Sequence, residues 1–431
     1  MTTKQEAAAE RLARWKDDQI RIAQVEAASQ SWGEKSKTAK DLLHDRYFFP
    51  LLAADIGRAG LVREKRNALA TYIVATSRLR EKPLHEIIKG ASSAGKNHLA
   101  KTVLKFIPEG EVVPGSSMTA QAVNYAGTNR FANKVVYIDE QVGLKHPLRQ
   151  LISEGRQIRW VTAMENGRRI MKEQVTQGPV ACITTTTQAA LAIDDESRNL
   201  SVWMDESFKQ TQEIAKAHVA RQREPLPPER LQQWHLVQHI IADRRVSIDT
   251  PPWFEEMAEK ILPYGDLRIR RYWPSFVEAC KVVALIRVAR WSEIDDEECT
   301  VSFEDFATAI CIFDRIIGES LTRSGGDAEM AIGDLVERLS GGTHGGVTAS
   351  DLVGQQGIRS LDQAYRALRR ARQAGTVYIV NERERNNEKR YARSPVATFL
   401  CTPEYAVNKL CLKIAGTYIH PISGKRIAYG T

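Results

Sequence analysis

The stretch LHEIIKGASSAGKNHLAKTVLKFI, residues 84–107, passes from a short apolar run through a loop of small residues into helical spacing. Its centre, Gly90-Ala91-Ser92-Ser93-Ala94-Gly95-Lys96-Asn97, matches G-x-x-x-x-G-K, with Asn where Ser or Thr is usual. Small residues let successive backbone N–H groups wrap an anion. The following helix presents its N-terminus to the same charge, and the lysine reaches phosphate oxygens. The pattern therefore predicts ATP phosphates held by residues 90–97, with His98 opening the helix behind them. A hydroxyl at position 97 ordinarily ligates Mg²⁺. The carbonyl oxygen of Asn97 is also a hard ligand, at the cost of weaker metal binding.

Working outward, Lys134-Val-Val-Tyr-Ile-Asp139-Glu140 is an apolar strand ending in two acids, about 40 residues beyond the loop. Asp139 is the expected holder of the Mg²⁺ shell, and Glu140 the group that orients and deprotonates an attacking water. Alone, an apolar run ending in acids is a common surface feature. Its place after the glycine loop gives it meaning. GPVACITTTT, residues 178–187, is a further strand ending in hydroxyls, so Thr185 or Thr186 is a candidate for contact with the γ-phosphate or the water. The competing reading is simply β-branched residues at a strand end. Arg198 follows that strand in DDESR, either as an arginine finger or as a surface ion-pair partner. Between the two strands, IRWVTAMENGRRIMKEQV carries Asn166-Gly167, the strongest short hairpin signal.

A chain of 431 residues exceeds one ordinary core and predicts roughly three units. Its balance, 43% hydrophobic and 26% charged, is that of a folded globular protein and excludes a disordered one. No apolar run reaches the ~20 residues of a membrane helix, and the polar N-terminus does not read as a secretory signal. Cysteines at 182, 280, 299, 311, 401 and 411 show no metal-binding spacing; a reduced, cytoplasmic setting fits them better than a disulfide framework. The formal charge of +8 favours nucleic acid as a partner without requiring it.

Five segments are expected. Residues 1–80 form a helical N-terminal region, 81–207 the α/β nucleotide core and 208–322 a helical region in which strand signals vanish. Residues 323–396 form a small unit, and 397–431 an extension whose short mixed segments carry no readable pattern. In the small unit, helices at AEMAIGDLVERL, TASDLV and SLDQAYRALRRARQAG precede strands TVYIV and RYARS. Three helices and a two-stranded wing make a winged helix-turn-helix, whose third helix commonly enters the major groove. Ala364, Leu368 and Ala371 fall on one face. Arg366, Arg369, Arg370 and Arg372 lie mostly on the others, with Arg383, Arg385, Lys389 and Arg390 on the wing as phosphate contacts. The wing acids Glu382, Glu384 and Glu388 partly neutralise that surface, and a protein-docking role stays open beside DNA binding.

The order of parts resembles the AAA+ ATPases, in the branch with a hairpin before the Thr-ending strand. Within them it resembles the MCM-like helicases of staphylococcal cassette chromosomes and related phage or island replication proteins. ATSRLREKPLHEIIKGASSAGKN, GSSMTAQAVNY, KVVYIDE and DDESRNLSVWMDES carry the likeness, over roughly residues 45–210. It implies a three-layer P-loop AAA+ sandwich with an all-helical lid, then the winged-helix unit. It also implies a homo-oligomeric ring, a hexamer, with Arg198 reaching a neighbour's nucleotide, and the hairpin tip, Arg168 and Arg169, facing single-stranded or forked DNA. Arg271, with Arg268 and Arg270 as rivals, falls where the family's lid arginine stands. A primase or single-strand-binding protein is the accompanying partner such systems imply, although no primase site is visible in this chain. Three functions follow. One is an ATP-dependent DNA helicase or translocase replicating a mobile element. The second is a nucleotide-switched loader or transposition regulator. The third is a winged-helix DNA-binding module with a degenerate ATPase, which Asn97 favours.

Overall fold

A computed structural model describes residues 38–430 apart from 117–122, 124–127, 141–145, 166–167, 189–197, 221–224, 245, 263–267, 291–297, 323–326, 341–345, 356, 374–376, 381–388, 394–399 and 401. After a helical stretch over residues 38–44, helices α1 (Phe48–Arg58) and α2 (Lys65–Thr76) precede the first strand, β1 (His85–Lys89). Then come α3 (Lys96–Leu104), β2 (Val112–Gly115), β3 (Lys134–Ile138), α4 (His146–Glu154), β4 (Arg156–Glu165), β5 (Arg168–Gln177), β6 (Val180–Thr186) and β7 (Leu200–Trp203). Strands β2-β3-β6-β1-β7 form one five-stranded sheet in that order, every neighbouring pair parallel.

Parallel strands buried on both faces read as continuous apolar runs, and here alternate residues divide between two cores. Val135, Tyr137, Ala181 and Ile183 join the large core with α1–α3. Val136, Ile138, Val180 and Cys182 turn to the other face and pack with Leu148 and Leu151 of α4. Helix α2 is buried from Asn67 to Thr76, so it lies inside the body rather than in a separate N-terminal region.

The hairpin β4–β5 pairs Arg156 with Gln177 through Glu165 with Arg168, antiparallel and without interruption. Its tip residues, Asn166 and Gly167, lie outside the described residues.

Helices α5 (Phe208–Ala220), α6 (Pro228–Ala242), α7 (Trp253–Lys260), α8 (Ile269–Val288) and α9 (Phe303–Thr322) form the helical region. Two three-residue strands, β8 (Ser247–Asp249) and β9 (Glu298–Thr300), pair in parallel within it, contrary to the expectation of none. SID and ECT are too short to show alternation, and only helices brought together in space bring them into register. The region docks on α1 through Asp55, whose Oδ2 accepts from Arg230 Nε at 2.6 Å and Trp234 Nε1 at 3.0 Å. Around them, Trp234 packs edge-on to Phe48. Helix α9 opens with reciprocal caps: Asp305 N–H donates to Ser302 Oγ and Ser302 N–H to Asp305 Oδ2. The same carboxylate accepts two bonds from Arg287 Nε.

A second, smaller core holds α10 (Asp327–Ser340), a single 3₁₀ turn (Ser350–Leu352), α11 (Leu361–Gln373), and the antiparallel pair β10 (Val377–Ile379) and β11 (Tyr391–Arg393). The expected middle helix at TASDLV is only that 3₁₀ turn. The Asp351 carboxylate within it accepts from both the N–H and the hydroxyl of Thr348. Ala364, Leu368 and Ala371 are buried, as their spacing predicts.

The chain then returns. Helix α12 (Pro403–Lys409) and the hairpin β12 (Gly416–Ile419)–β13 (Arg426–Tyr429) belong to the large core. Leu400 N–H donates to Asp314 on α9, and the Tyr429 ring lies tilted against Phe303 with centroids 4.5 Å apart. The unread extension is thus part of the main body. Among the described residues, no helix is long and apolar enough to cross a membrane.

Candidate nucleotide site

The site forms where β1, β6 and β3 end side by side, because β6 lies between the other two. The loop after β1 begins at Gly90, where a Cβ would stand 3.0 Å from Glu206 Oε1 and 3.2 Å from Met204 Cβ, so no side chain fits without displacement. It ends at Gly95, whose φ of +91° a residue with a Cβ rarely adopts, and α3 starts at Lys96. The Lys96 side chain folds over the loop, its Nζ donating to the carbonyls of Gly90 at 2.9 Å and Ala91 at 2.8 Å. An ammonium parked on its own loop's carbonyls holds the loop shape and stands beside the N–H groups at the helix start, where an anion binds.

Across the sheet edge, β3 delivers Asp139 and Glu140. Asp139 divides its oxygens: Oδ2 meets the Lys101 ammonium at 3.3 Å, and Oδ1 lies 3.4 Å from the Thr185 hydroxyl. Glu140 adopts φ +49°, a left-handed conformation uncommon for a non-glycine residue and often tied to a functional constraint. That turn leaves its side chain exposed and aims its N–H at Thr185 Oγ1, 3.0 Å away. Thr185, at the end of β6, donates in turn to Asn97 Oδ1 at 2.7 Å. Asn97, Asp139 and Thr185 are therefore drawn together, and Lys96 lies next to Asn97 in the chain. Of the hydroxyls at the end of β6, Thr185 rather than Thr186 is the one in contact. The side-chain oxygens of Asn97 and Asp139, brought together through Thr185, are hard donors of the kind Mg²⁺ takes, so the residues present fit that ion.

Other predicted residues fall elsewhere. The His98 ring pairs with the Gly60 carbonyl at 3.0 Å, joining α3 to the α1–α2 connection. Arg198 donates from Nη1 to Ser153 on α4. Of the lid arginines, Arg268 is turned into the end of α9, its guanidinium donating to the carbonyls of Ser320 and Leu321. Arg270 and Arg271 are exposed on α8. On α11, Arg366 pairs with Asp362, while Arg369, Arg370 and Arg372 are exposed, as is Lys389 before β11. Arg383 and Arg385 lie outside the described residues, and nothing is described of the Arg168 side chain. Arg169 is exposed at the start of β5.

Two residues of the site escaped the pattern. Glu206, after β7, accepts the Ala91 N–H at 2.5 Å. Lys101 lies one turn into α3 and carries the Asp139 contact. Only the adjacency of β7 to β1 reveals the first, and α3 running past the end of β3 the second.

A glycine-bounded loop between a buried parallel strand and a helix, facing paired acids across an intervening strand, defines a P-loop nucleotide-binding protein. In agreement, a family model described as MTBMA_p00010 P-loop domain matches residues 60–240, from the connection before α2 to the end of α6. A search of curated proteins returns no match.

Proposed function

We propose that this chain hydrolyses ATP and uses the energy to move along or unwind DNA, as an oligomeric ring serving the replication of a mobile genetic element. The observation that carries the hydrolytic part is the junction of Asn97, Thr185, Asp139 and the Glu140 backbone beside the Lys96 loop. The loop amides and Lys96 hold the phosphates, and exposed Glu140 sits at the strand end where it can take a proton from water. Mg²⁺ in the Asn97–Asp139 donor set would neutralise phosphate charge.

The DNA part is supported by the hairpin. Between Arg156 and Gln177 it carries five cations against two carboxylates. One face exposes Trp160, Met164 and Met171, at 58%, 67% and 73%. Aromatic surface interleaved with positive charge suits unpaired bases and their phosphates. A winged-helix reading of residues 327–393 adds the exposed Arg369, Arg370 and Arg372 of α11 as a duplex-binding face. Ring formation, with Arg198 reaching a neighbour's site and Arg271 as the lid arginine, rests on the AAA+ resemblance.

The test measures DNA-stimulated ATPase beside displacement of an annealed strand, for wild type and Glu140→Gln. The expected result is ATP-dependent displacement by the wild type. Glu140→Gln should bind ATP but lose at least a hundredfold in hydrolysis, since positioned bases are worth about 10²–10⁴. Stimulated hydrolysis without displacement would instead identify a nucleotide-switched loader.

A further inference from the structure

We infer that Thr185 is a positioning residue that turns the Asn97 side chain so that its carbonyl oxygen, not its NH₂, faces the metal. The inference rests on the nucleotide-site reading above. A Ser or Thr at position 97 would need no such help, because a hydroxyl rotates to offer a lone pair. An Asn side chain has two ends of nearly equal shape, one accepting and one donating, and only the oxygen serves a cation. An Asn in this loop therefore needs a neighbour that chooses between the ends.

Thr185 is built to make that choice. It is fully buried, so its hydroxyl must find partners within the protein. The Glu140 backbone N–H, which can only donate, occupies one of its lone pairs at 3.0 Å. The hydroxyl proton then goes to Asn97 Oδ1 at 2.7 Å, the shorter of two acceptors, the other being Asp139 Oδ1 at 3.4 Å. Turning the amide over would place a donor against the hydroxyl and leave its proton only the longer contact. The order of donation is thus Glu140 N–H to Thr185 O–H to Asn97 oxygen, and it runs one way. The relay begins at a backbone group held left-handed. The amide orientation at the metal and the path of the chain at the candidate base are therefore set by one hydroxyl.

The test uses the full chain with Mn²⁺ as the metal probe and a fluorescent non-hydrolysable ATP analogue. Thr185→Val, which keeps the shape and deletes the hydroxyl, and Thr185→Ser are each made in the native and the Asn97→Ser backgrounds. In the native background, Thr185→Val is expected to weaken Mn²⁺ binding to the nucleotide complex about tenfold, in line with one lost buried hydrogen bond. Analogue affinity in EDTA should stay within about threefold, and Thr185→Ser should restore Mn²⁺ binding. With Ser at position 97, Thr185→Val should leave Mn²⁺ affinity unchanged. Equal Mn²⁺ loss in both backgrounds would overturn the inference, since Thr185 would then act independently of Asn97. So would a parallel loss of analogue binding in EDTA, which would mark a purely structural role. A wild-type chain that takes up no analogue in either condition would instead remove the nucleotide site itself.

Discussion

Replacing Glu86 by Gln should flatten the dependence of stability on pH. Glu86 is the second residue of β1, 0% exposed, with the Thr71 hydroxyl of α2 beside its carboxyl group. Burial pushes its pKa from 4.5 up to about 8, against the smaller opposing pull of the Thr71 hydroxyl. A carboxyl whose folded pKa is raised keeps its proton in the fold where the unfolded chain releases it. Its neutral form is fully compatible with folding below about 4.5, and stability is lost as pH rises from there towards 8. Between pH 4 and pH 7 the accumulated loss is roughly 2.3 pKa units, on the order of 3 kcal/mol. Gln has no proton to lose. Its burial adds a constant offset, so the informative quantity is how the gap between the two proteins changes. Urea unfolding followed by tryptophan fluorescence reads the large core, which contains Trp234. The difference in unfolding free energy, variant minus wild type, should grow by about 3 kcal/mol from pH 4 to pH 7. Parallel profiles for the two proteins would refute the reasoning, because Glu86 would then ionise in the fold at its ordinary pKa.

Lys96→Ala should abolish detectable ATP binding by equilibrium fluorescence, since it removes the phosphate contact and releases the Gly90 and Ala91 carbonyls together. Trp160→Ala should weaken single-strand binding by about 1–3 kcal/mol in fluorescence anisotropy while leaving ATP binding unchanged, the cost of one lost stacking platform. Asp305→Ala should destabilise the main body by about 3–5 kcal/mol in denaturant unfolding, because it strips the half-buried Arg287 of its partner and uncaps α9 together.

The parts of the site that follow from local chemistry were legible in the sequence. Gly90, Gly95 and Lys96 announce the loop by residue type, and the acids ending β3 gain meaning from their distance to it. What settles Thr185 over Thr186 is strand order and side-chain direction, which β6 acquires only by lying between β1 and β3. His98 illustrates the opposite failure. It stands one residue past the motif, yet the helical turn carries its ring to Gly60 and away from the loop. Glu86 was hidden because the sequence shows LHEIIKG as a short strand before the loop but not that all of His85–Lys89, polar residues included, is buried. Residues 403–429 gave no pattern for a related reason. Their apolar residues are spaced to fit α9, about a hundred positions earlier, and no local period records such a partner.

That return has a consequence for anyone dividing the protein. Leaving α9 at Thr322, the chain is bound again at Asp314 by Leu400, eight residues back along the same helix or roughly 12 Å by its rise. Residues 323–399 are an excursion with neighbouring ends, not a tail. Ending the polypeptide after Thr322 would strip Tyr429 from Phe303 and Tyr418 from Cys311, baring the flank of α9 to water. Splicing Thr322 to Leu400 through a short linker would remove the same small unit and leave that flank clothed.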